Sequence, residues 1–325
     1  ADRFFRQGSA LAHTFLADLC DLGLSGIDWD RALCHMGPDL RRQFGEEFLE
    51  HGIAHPITHT LDLATGYHCT ALVARSVGDD ELAAQFATLA TRWVNAIDPT
   101  TGLVVDSTFY EGGRWNYSFR LLHDMARRIA MAGGEAAYLD LLDRFFGFDA
   151  DPVKQMGIDP SPDEVAAGYA LGRFEGLNNE PDMDAPWSYH WLGRPDRTAD
   201  IVHAAVMNQF APGRGGLVGN DDSGALSSWY VWASLGLFPV AGQQLVLLNA
   251  PSFPHARIRL RGGSLTIETS GFVEPEPDGP AQYVQRMRWN GADLDRSWLS
   301  AEEFHGGGVL HVELGPDPSG WATTT

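Results

Sequence analysis

The sequence has 325 residues, of which 23 are Lys or Arg and 43 are Asp or Glu, giving a formal net charge of −20 at pH 7. This charge argues against binding to nucleic acid or to an anionic membrane surface, because both are recognised through clustered basic side chains. It is compatible with a neutral substrate and with a divalent cation. No run of about 18 apolar residues occurs, so we expect no membrane-spanning segment.

Up to about residue 240 the apolar residues recur with the spacing of amphipathic helices. Gly78 is expected to end one helix, and Asp79 to cap the next. The predicted helices cover residues 1–23, 58–77, 80–97, 116–131, 135–146, 163–171, 187–192, 197–210 and 223–235. Helices that follow one another through loops of varied length are typical of a helical toroid or bundle.

After Pro239 the apolar residues alternate instead, between Gly, Pro and Asp turns. The predicted strands cover residues 245–248, 256–260, 264–269, 283–289 and 309–314. Short strands separated by such turns are typical of an antiparallel sandwich. The sequence therefore predicts a helical domain over residues 1–240 and a β-sandwich segment over residues 241–325.

Three loops of the helical part carry candidate chemistry, and the first contains Glu111. This residue is followed by two glycines and flanked by Tyr110 and Trp115. An apolar setting raises the pKa of a carboxyl group, so Glu111 is a candidate proton donor. The alternative is a surface glutamate that precedes a helix.

The second loop, residues 178–184, holds three carboxylates and two amides around a proline. Oxygen donors grouped in this way suit Ca²⁺, which takes six to eight oxygen ligands. The alternative is an acidic loop that caps the helix predicted over residues 187–192.

The third loop reads Gly-Asn-Asp-Asp-Ser-Gly over residues 219–224. Asp221 and Asp222 would serve as capping residues at the start of a helix, which is the structural alternative. Adjacent carboxylates also repel each other, so the pair calls for a cation, a water or a developing positive charge nearby. Together with Glu111, this pair supplies carboxylates on two separate loops, which is what glycoside hydrolysis requires.

The chain resembles the C-terminal portion of family 92 of the glycoside hydrolases, which are calcium-dependent, inverting, exo-acting α-mannosidases. The matching residues are Glu111-Gly112, Trp115, Tyr117, Asn179-Glu180-Pro181, Tyr189, Gly193, Gly219-Asn220-Asp221-Asp222-Ser223-Gly224, Ser228-Trp229-Tyr230 and Gly236-Leu237-Phe238-Pro239-Val240. The tail matches as well, through Tyr283-Val284-Gln285, Asn290-Gly291, Ser297-Trp298 and Pro318-Ser319-Gly320-Trp321. The block over residues 219–230 is long and specific, whereas the Asn-Glu-Pro tripeptide is weak alone.

The resemblance implies a mainly α fold, with a partial (α/α)6 toroid followed by a small antiparallel β-sandwich portion. It implies that Glu111 is the general acid and that Asp222 is the general base, with Asp221 as a second candidate. In an inverting enzyme the acid and base carboxyl groups lie roughly 6.5–9.5 Å apart.

The resemblance also implies a Ca²⁺ ion, for which Asn179 and Glu180 are the expected ligands. The expected sugar-binding residues are Trp115, Asn178, Asn220 and His190. The last of these is a candidate because it follows the second acidic loop closely.

The implied substrate is a mannose-containing glycan, N-glycans included, and the implied location is secreted, periplasmic or extracellular. Members of the family are longer than this chain and begin with a β-sandwich domain and early toroid helices, including an Asp-Thr-Phe-Arg segment that is not found here. We therefore expect the chain to need those parts. Two alternatives stay open: an inverting (α/α)6 glycosidase for another sugar, and a non-catalytic carbohydrate-binding fragment.

Overall fold

The structure is a computed structural model that describes residues 10–42, 44–107, 112–148, 177, 179–219, 221–260, 262–277 and 279–323. The chain divides into two compact units. The first comprises Ala1–Ser118, Leu122–Gly134 and Ala241–Gln244, and the second comprises Phe119–Leu121, Glu135–Val240 and Leu245–Thr325. The boundary expected at residue 240 stays a prediction.

The first unit is helical. Its helices are α1 (Leu11–Asp21), α2 (Trp29–Asp39), α3 (Gly45–His51), α4 (Thr58–Ser76), α5 (Asp80–Ala90), α6 (Arg114–Ser118) and α7 (Met125–Met131), and a 3-10 helix, Thr91–Ala96, continues α5. Helix α4 is the centre of the unit, because α1, α2, α3 and α5 all pack against it. Its sequence is apolar or small on most sides, so most of its residues are buried.

The predicted helix ends at Gly78 and Asp79 are confirmed. Gly78 adopts a φ of 85°, and the Asp79 carboxylate accepts a 3.0 Å hydrogen bond from the Leu82 N–H. The helix predicted over residues 116–131 is instead two helices, α6 and α7. The interruption has a physical cause, because the Leu121 N–H donates to the Asp184 carboxylate rather than to a helical carbonyl.

Helices α2 and α3 were not predicted, and the helix predicted over residues 163–171 lies outside the described residues. The segment predicted as a helix over 187–192 is a 3-10 helix, Ala185–Leu192, with Pro186 in its first turn. Among the residues that the structure describes, no helix has the length and apolar character needed to cross a membrane.

The second unit begins with α8 (Glu135–Phe146), continues through 3-10 turns at Glu180–Asp182 and Ala185–Leu192, and includes α9 (Pro195–Asn208) and α10 (Ala225–Ser234). The described residues that follow form the strands β1 (Leu237–Val240), β2 (Leu245–Leu248), β3 (His255–Leu260), β4 (Gly263–Ser270), β5 (Tyr283–Trp289), β6 (Ala292–Leu294), β7 (Trp298–Ser300) and β8 (Gly308–Gly315). A short helix, α11 (Ala301–Gly306), joins the last two strands.

The strands form two sheets, with orders β1-β2-β7 and β3-β4-β8-β5-β6. Alternate residues of both sheets enter one apolar core, as Val246 and Leu248 of β2 and Leu265 and Ile267 of β4 illustrate. A mainly α chain with a C-terminal β portion is therefore confirmed. One pairing departs from the antiparallel prediction, because β4 and β8 run parallel. The toroid arrangement of the helices stays a prediction.

Candidate active site

The third acidic loop forms a tight turn directly before α10, which we call the acidic turn (residues 221–224). The Gly224 N–H donates to the Asp221 carbonyl oxygen at 2.7 Å and closes the turn. Ser223, at φ 55° and ψ 21°, and Gly224, at φ 83° and ψ 20°, are both left-handed. Glycine tolerates this conformation, whereas a serine pays roughly 1–2 kcal/mol for it.

The Asp221 carboxylate is fully engaged by Ser227 in the first turn of α10. The Ser227 N–H donates to Asp221 Oδ1 at 2.9 Å, and the Ser227 hydroxyl donates to Asp221 Oδ2 at 2.6 Å. These hydrogen bonds, the hydroxyl first, lower the pKa of Asp221 from its usual range. Asp221 thus plays the capping role that the sequence offered as the structural alternative for the pair.

The side chain of the next residue, Asp222, differs from that of Asp221 in its exposure and hydrogen bonding. Its side chain is exposed, and within the described residues it accepts no hydrogen bond and joins no ion pair. Its carboxylate is therefore accessible to water and to a ligand.

Glu180 lies near this pair. Burial raises its pKa, and the negative charges of Asp222 and Asp221 raise it further. Its Oε1 atom is buried and has no hydrogen-bond partner within the described part of the chain. A buried acceptor without a partner is costly unless a ligand, an ion or a water completes it. The structure thus brings Glu180, Asp221 and Asp222 into one electrostatic neighbourhood.

The rest of the second acidic loop is buried. Asp182 is 2% exposed, and its N–H donates to the Asn179 carbonyl oxygen at 3.1 Å. Asp184 does not cap the 3-10 helix that follows it, because its carboxylate accepts from the Leu121 N–H at 2.8 Å. Burial raises the pKa of Asp184, and the charge of Arg120 opposes that rise.

His190 lies in the core of the second unit at 5% exposure. Its ring stacks on Trp187, with the centroids 5.6 Å apart, and burial lowers its pKa to about 3. The imidazole is therefore neutral at pH 7. A sugar contact at His190 stays a prediction.

The structure does not show the remaining predicted residues as part of this group. Trp115 belongs to α6 of the first unit and is buried at 7% exposure. Glu111, Asn178 and Asn220 lie outside the described residues. No group of three or more His, Cys, Asp or Glu side chains suited to a metal occurs among the residues described.

Sequence reasoning missed Ser227 and its two hydrogen bonds to Asp221. The available signal was a serine in the first turn of a predicted helix, six residues after an aspartate. That pattern is common at helix starts and does not identify which of two adjacent aspartates is the partner.

Comparison with known proteins identifies the family of this chain. The sequence profile described as "Glycosyl hydrolase family 92 catalytic domain" matches residues 37–316. The chain belongs to glycoside hydrolase family 92. An "Uncharacterized secreted glycosidase" of the fungus Arthroderma benhamiae is 31% identical over 216 residues, which are 66% of this chain and 24% of that protein.

Solved structures of family 92 share the fold. A family GH92 α-mannosidase from Bacteroides thetaiotaomicron in complex with mannoimidazole has a TM-score of 0.82 at 21% identity, covering 96% of this chain and 44% of that one. A family GH92 inverting mannosidase from the same organism has a TM-score of 0.82 at 23% identity, covering 96% and 47%. The chain thus spans less than half the length of these family 92 structures and about a quarter of the fungal relative's.

Proposed function

We propose that this chain forms part of an inverting, exo-acting α-mannosidase that hydrolyses terminal α-linked mannose from glycans. Family membership supports a glycoside hydrolase, and the two similar Bacteroides proteins, both mannosidases, support mannose as the sugar. The observation that carries the proposal is the acidic neighbourhood of Glu180, Asp221 and Asp222, in which Asp222 is exposed and without a partner.

In the proposed reaction Asp222 is the general base. It takes a proton from a water whose oxygen attacks the anomeric carbon on the face opposite the leaving group. Glu111 is the general acid and gives its proton to the glycosidic oxygen as the bond to that oxygen breaks. One water is consumed, the sugar leaves with inverted configuration, and both carboxyl groups return to their starting states through solvent.

We propose Asn179 and Glu180 as ligands of Ca²⁺. The buried Oε1 of Glu180, which has no hydrogen-bond partner among the described residues, fits a hard cation, and so does the surrounding negative charge. When bound, such an ion supplies positive charge and an anchor for neighbouring sugar hydroxyls.

Trp115, Asn178, Asn220 and His190 are proposed contacts of the sugar. A secreted or extracellular location is proposed because the fungal relative is described as a secreted glycosidase. The longer family 92 relatives support a need for an N-terminal β-sandwich domain and early toroid helices.

The experiment is hydrolysis of a panel of α-linked mannosides and glucosides by the full-length protein, with the first-formed anomer identified by proton NMR. We expect β-mannose first, little turnover of glucosides, loss of activity in EGTA and recovery with Ca²⁺. First-formed α-mannose would contradict the inverting assignment. Preference for a glucoside would favour the other glycosidase class, and binding of mannosides without turnover would favour a carbohydrate-binding role.

A matched pair of variants tests the calcium ligand. In a thermal-unfolding assay, Ca²⁺ should raise the Tm of the parent protein, because a ligand that binds only the folded state stabilises it. Glu180→Gln should abolish that rise, whereas the exposed Glu276→Gln should keep it. An equal Ca²⁺ response in both variants would remove Glu180 from the proposed site.

A further inference from the structure

The acidic turn needs an anchor, because its conformation is not one that its sequence favours. Ser223 has a side chain and yet lies in the left-handed region at φ 55°. A residue held in such a region persists where surrounding contacts determine it, and such residues cluster at functional sites. The hydrogen bond from Gly224 to Asp221 closes the turn from within, and the Ala225 N–H donates to the Asp222 carbonyl oxygen. Neither bond ties the Asp221 side chain to α10.

Ser227 supplies that tie. Its N–H and its hydroxyl both donate to the Asp221 carboxylate, at 2.9 and 2.6 Å. Hydrogen bonds to a carboxylate are about twice as strong as neutral ones. They fix Asp221, the first residue of the turn, to the first turn of a regular helix. Asp222 lies between Asp221 and the helix, so its backbone is held at both ends.

Asp221 and Asp222 therefore have separate tasks. Both oxygens of Asp221 are occupied by Ser227, whereas Asp222 is exposed and has no partner among the described residues. A carboxylate with both oxygens hydrogen-bonded is a weaker proton acceptor, which agrees with the lowered pKa of Asp221.

We propose that Ser227 is a positioning residue of this enzyme: by clamping Asp221 it holds the acidic turn, and with it the Asp222 carboxylate, in the place that attack by water requires. The inference rests on the proposed function, in which Asp222 is the general base. Ser227 touches neither sugar nor water in this scheme and acts only through Asp221. Displacement of a reacting group by 1 Å can cost about a hundredfold in rate.

The test compares Ser227→Ala, Ser227→Thr and Ser228→Ala in the full-length protein. Ser228 is an exposed serine on the same helix without a hydrogen bond to the acidic turn. We expect Ser227→Ala to lower kcat by roughly 10- to 100-fold with KM nearly unchanged, because the base is displaced while sugar binding is kept. Threonine keeps both donors, so Ser227→Thr should restore most of kcat, and Ser228→Ala should match the parent protein.

Hydrogen–deuterium exchange of the peptide that contains residues 221–227 provides a readout that does not depend on activity. We expect faster exchange in Ser227→Ala and parent-like exchange in the other two variants. Should Ser227→Ala fail to fold, Ser227→Cys retains the N–H and a weaker donor, and its kcat should lie between those of the parent and of a base-deleted variant.

Three results would overturn the proposal: an unchanged kcat in Ser227→Ala, a rise in KM without a fall in kcat, or no gain from threonine over alanine in folded protein. If the parent protein hydrolyses no α-mannoside, the proposed function fails. The exchange measurement then still decides whether Ser227 orders the acidic turn.

Discussion

The second acidic loop and the acidic turn are both rich in carboxylates, but they differ in burial. The turn at Glu180–Asp182 leads into a buried segment, where Asp182 is 2% exposed and His190 is 5% exposed. The turn at Asp222–Gly224 has no buried residue. Each region has one carboxylate that accepts from a backbone N–H: Asp184 of the second acidic loop accepts from Leu121, and Asp221 of the acidic turn accepts from Ser227.

In both regions, too, at least one carboxylate oxygen remains without a hydrogen-bond partner in the described residues. In the buried segment this is the Oε1 atom of Glu180, and in the exposed turn neither oxygen of the Asp222 carboxylate has such a partner. An engaged carboxylate is occupied with holding the chain, whereas a carboxylate without a partner is available to an ion, a water or a substrate. Burial then distinguishes the two available groups, since the buried oxygen of Glu180 suits a fixed ligand and the exposed carboxylate of Asp222 suits proton exchange with water.

The largest expected effect is a difference in kcat between variants of the two adjacent aspartates, Asp221 and Asp222. Asp222→Asn should lower kcat on an α-mannoside by about a thousandfold, because general-base catalysis contributes 10²–10⁴. Asp221→Asn should cost about tenfold or less, because the amide oxygen still accepts the Ser227 N–H. Steady-state kinetics with both variants measures the difference. The opposite ranking would make Asp221 the base and Ser227 its direct partner.

The next effect concerns stability and the carboxylate engaged in the buried segment. Asp184→Ala should reduce the free energy of unfolding by about 3 kcal/mol, because it leaves the buried Leu121 N–H without its acceptor and removes the negative charge that faces Arg120. Urea unfolding measures this change.

Asp140→Ala is the matched control. Asp140 is exposed and pairs with Arg144 one turn away at 3.9 Å, so its loss should change the free energy of unfolding by less than about 0.5 kcal/mol. Equal losses in the two variants would show that burial does not separate these carboxylates.

The smallest effect is a pH dependence that arises in the buried segment. Since the pKa of His190 is lowered from 6.5 to about 3, its contribution to stability is complete above pH 6.5 and declines as the pH falls towards 3. Between about pH 7 and about pH 5 this contribution should fall by about 2 kcal/mol, because only the unfolded chain binds the proton there.

His190→Phe keeps a ring against Trp187 and cannot titrate, so its free energy of unfolding should depend less on pH over this range than that of the parent protein. The exposed His255→Phe should retain the parent slope. Urea unfolding of the three proteins at both pH values supplies the comparison, and parallel slopes for all three would contradict the assignment to His190.

Sequence patterning located α4, α8 and β5 nearly to the residue. Of these, α8 buries its apolar residues at the regular spacing of a helix. The patterning failed at β1, which contains Pro239. That proline is tolerated because β1 is an edge of its sheet. It failed as well at α2, where Gly37 and Pro38 interrupt the helical pattern near its end. The parallel pairing of β4 with β8 depends on long-range topology that no local pattern carries.

The sequence by itself determined the division into a helical part and a strand-rich part, the family, and the acidic segments on which the candidate site depends, because these are properties of short stretches of chain. Only the tertiary structure decided which carboxylates are engaged and which are not. Asp184 meets Leu121 across 63 residues, and Glu180 meets the charges of Asp221 and Asp222 from a distant part of the chain. Burial and hydrogen-bond partners are set by contacts between separate segments, and they give chemically identical side chains different tasks.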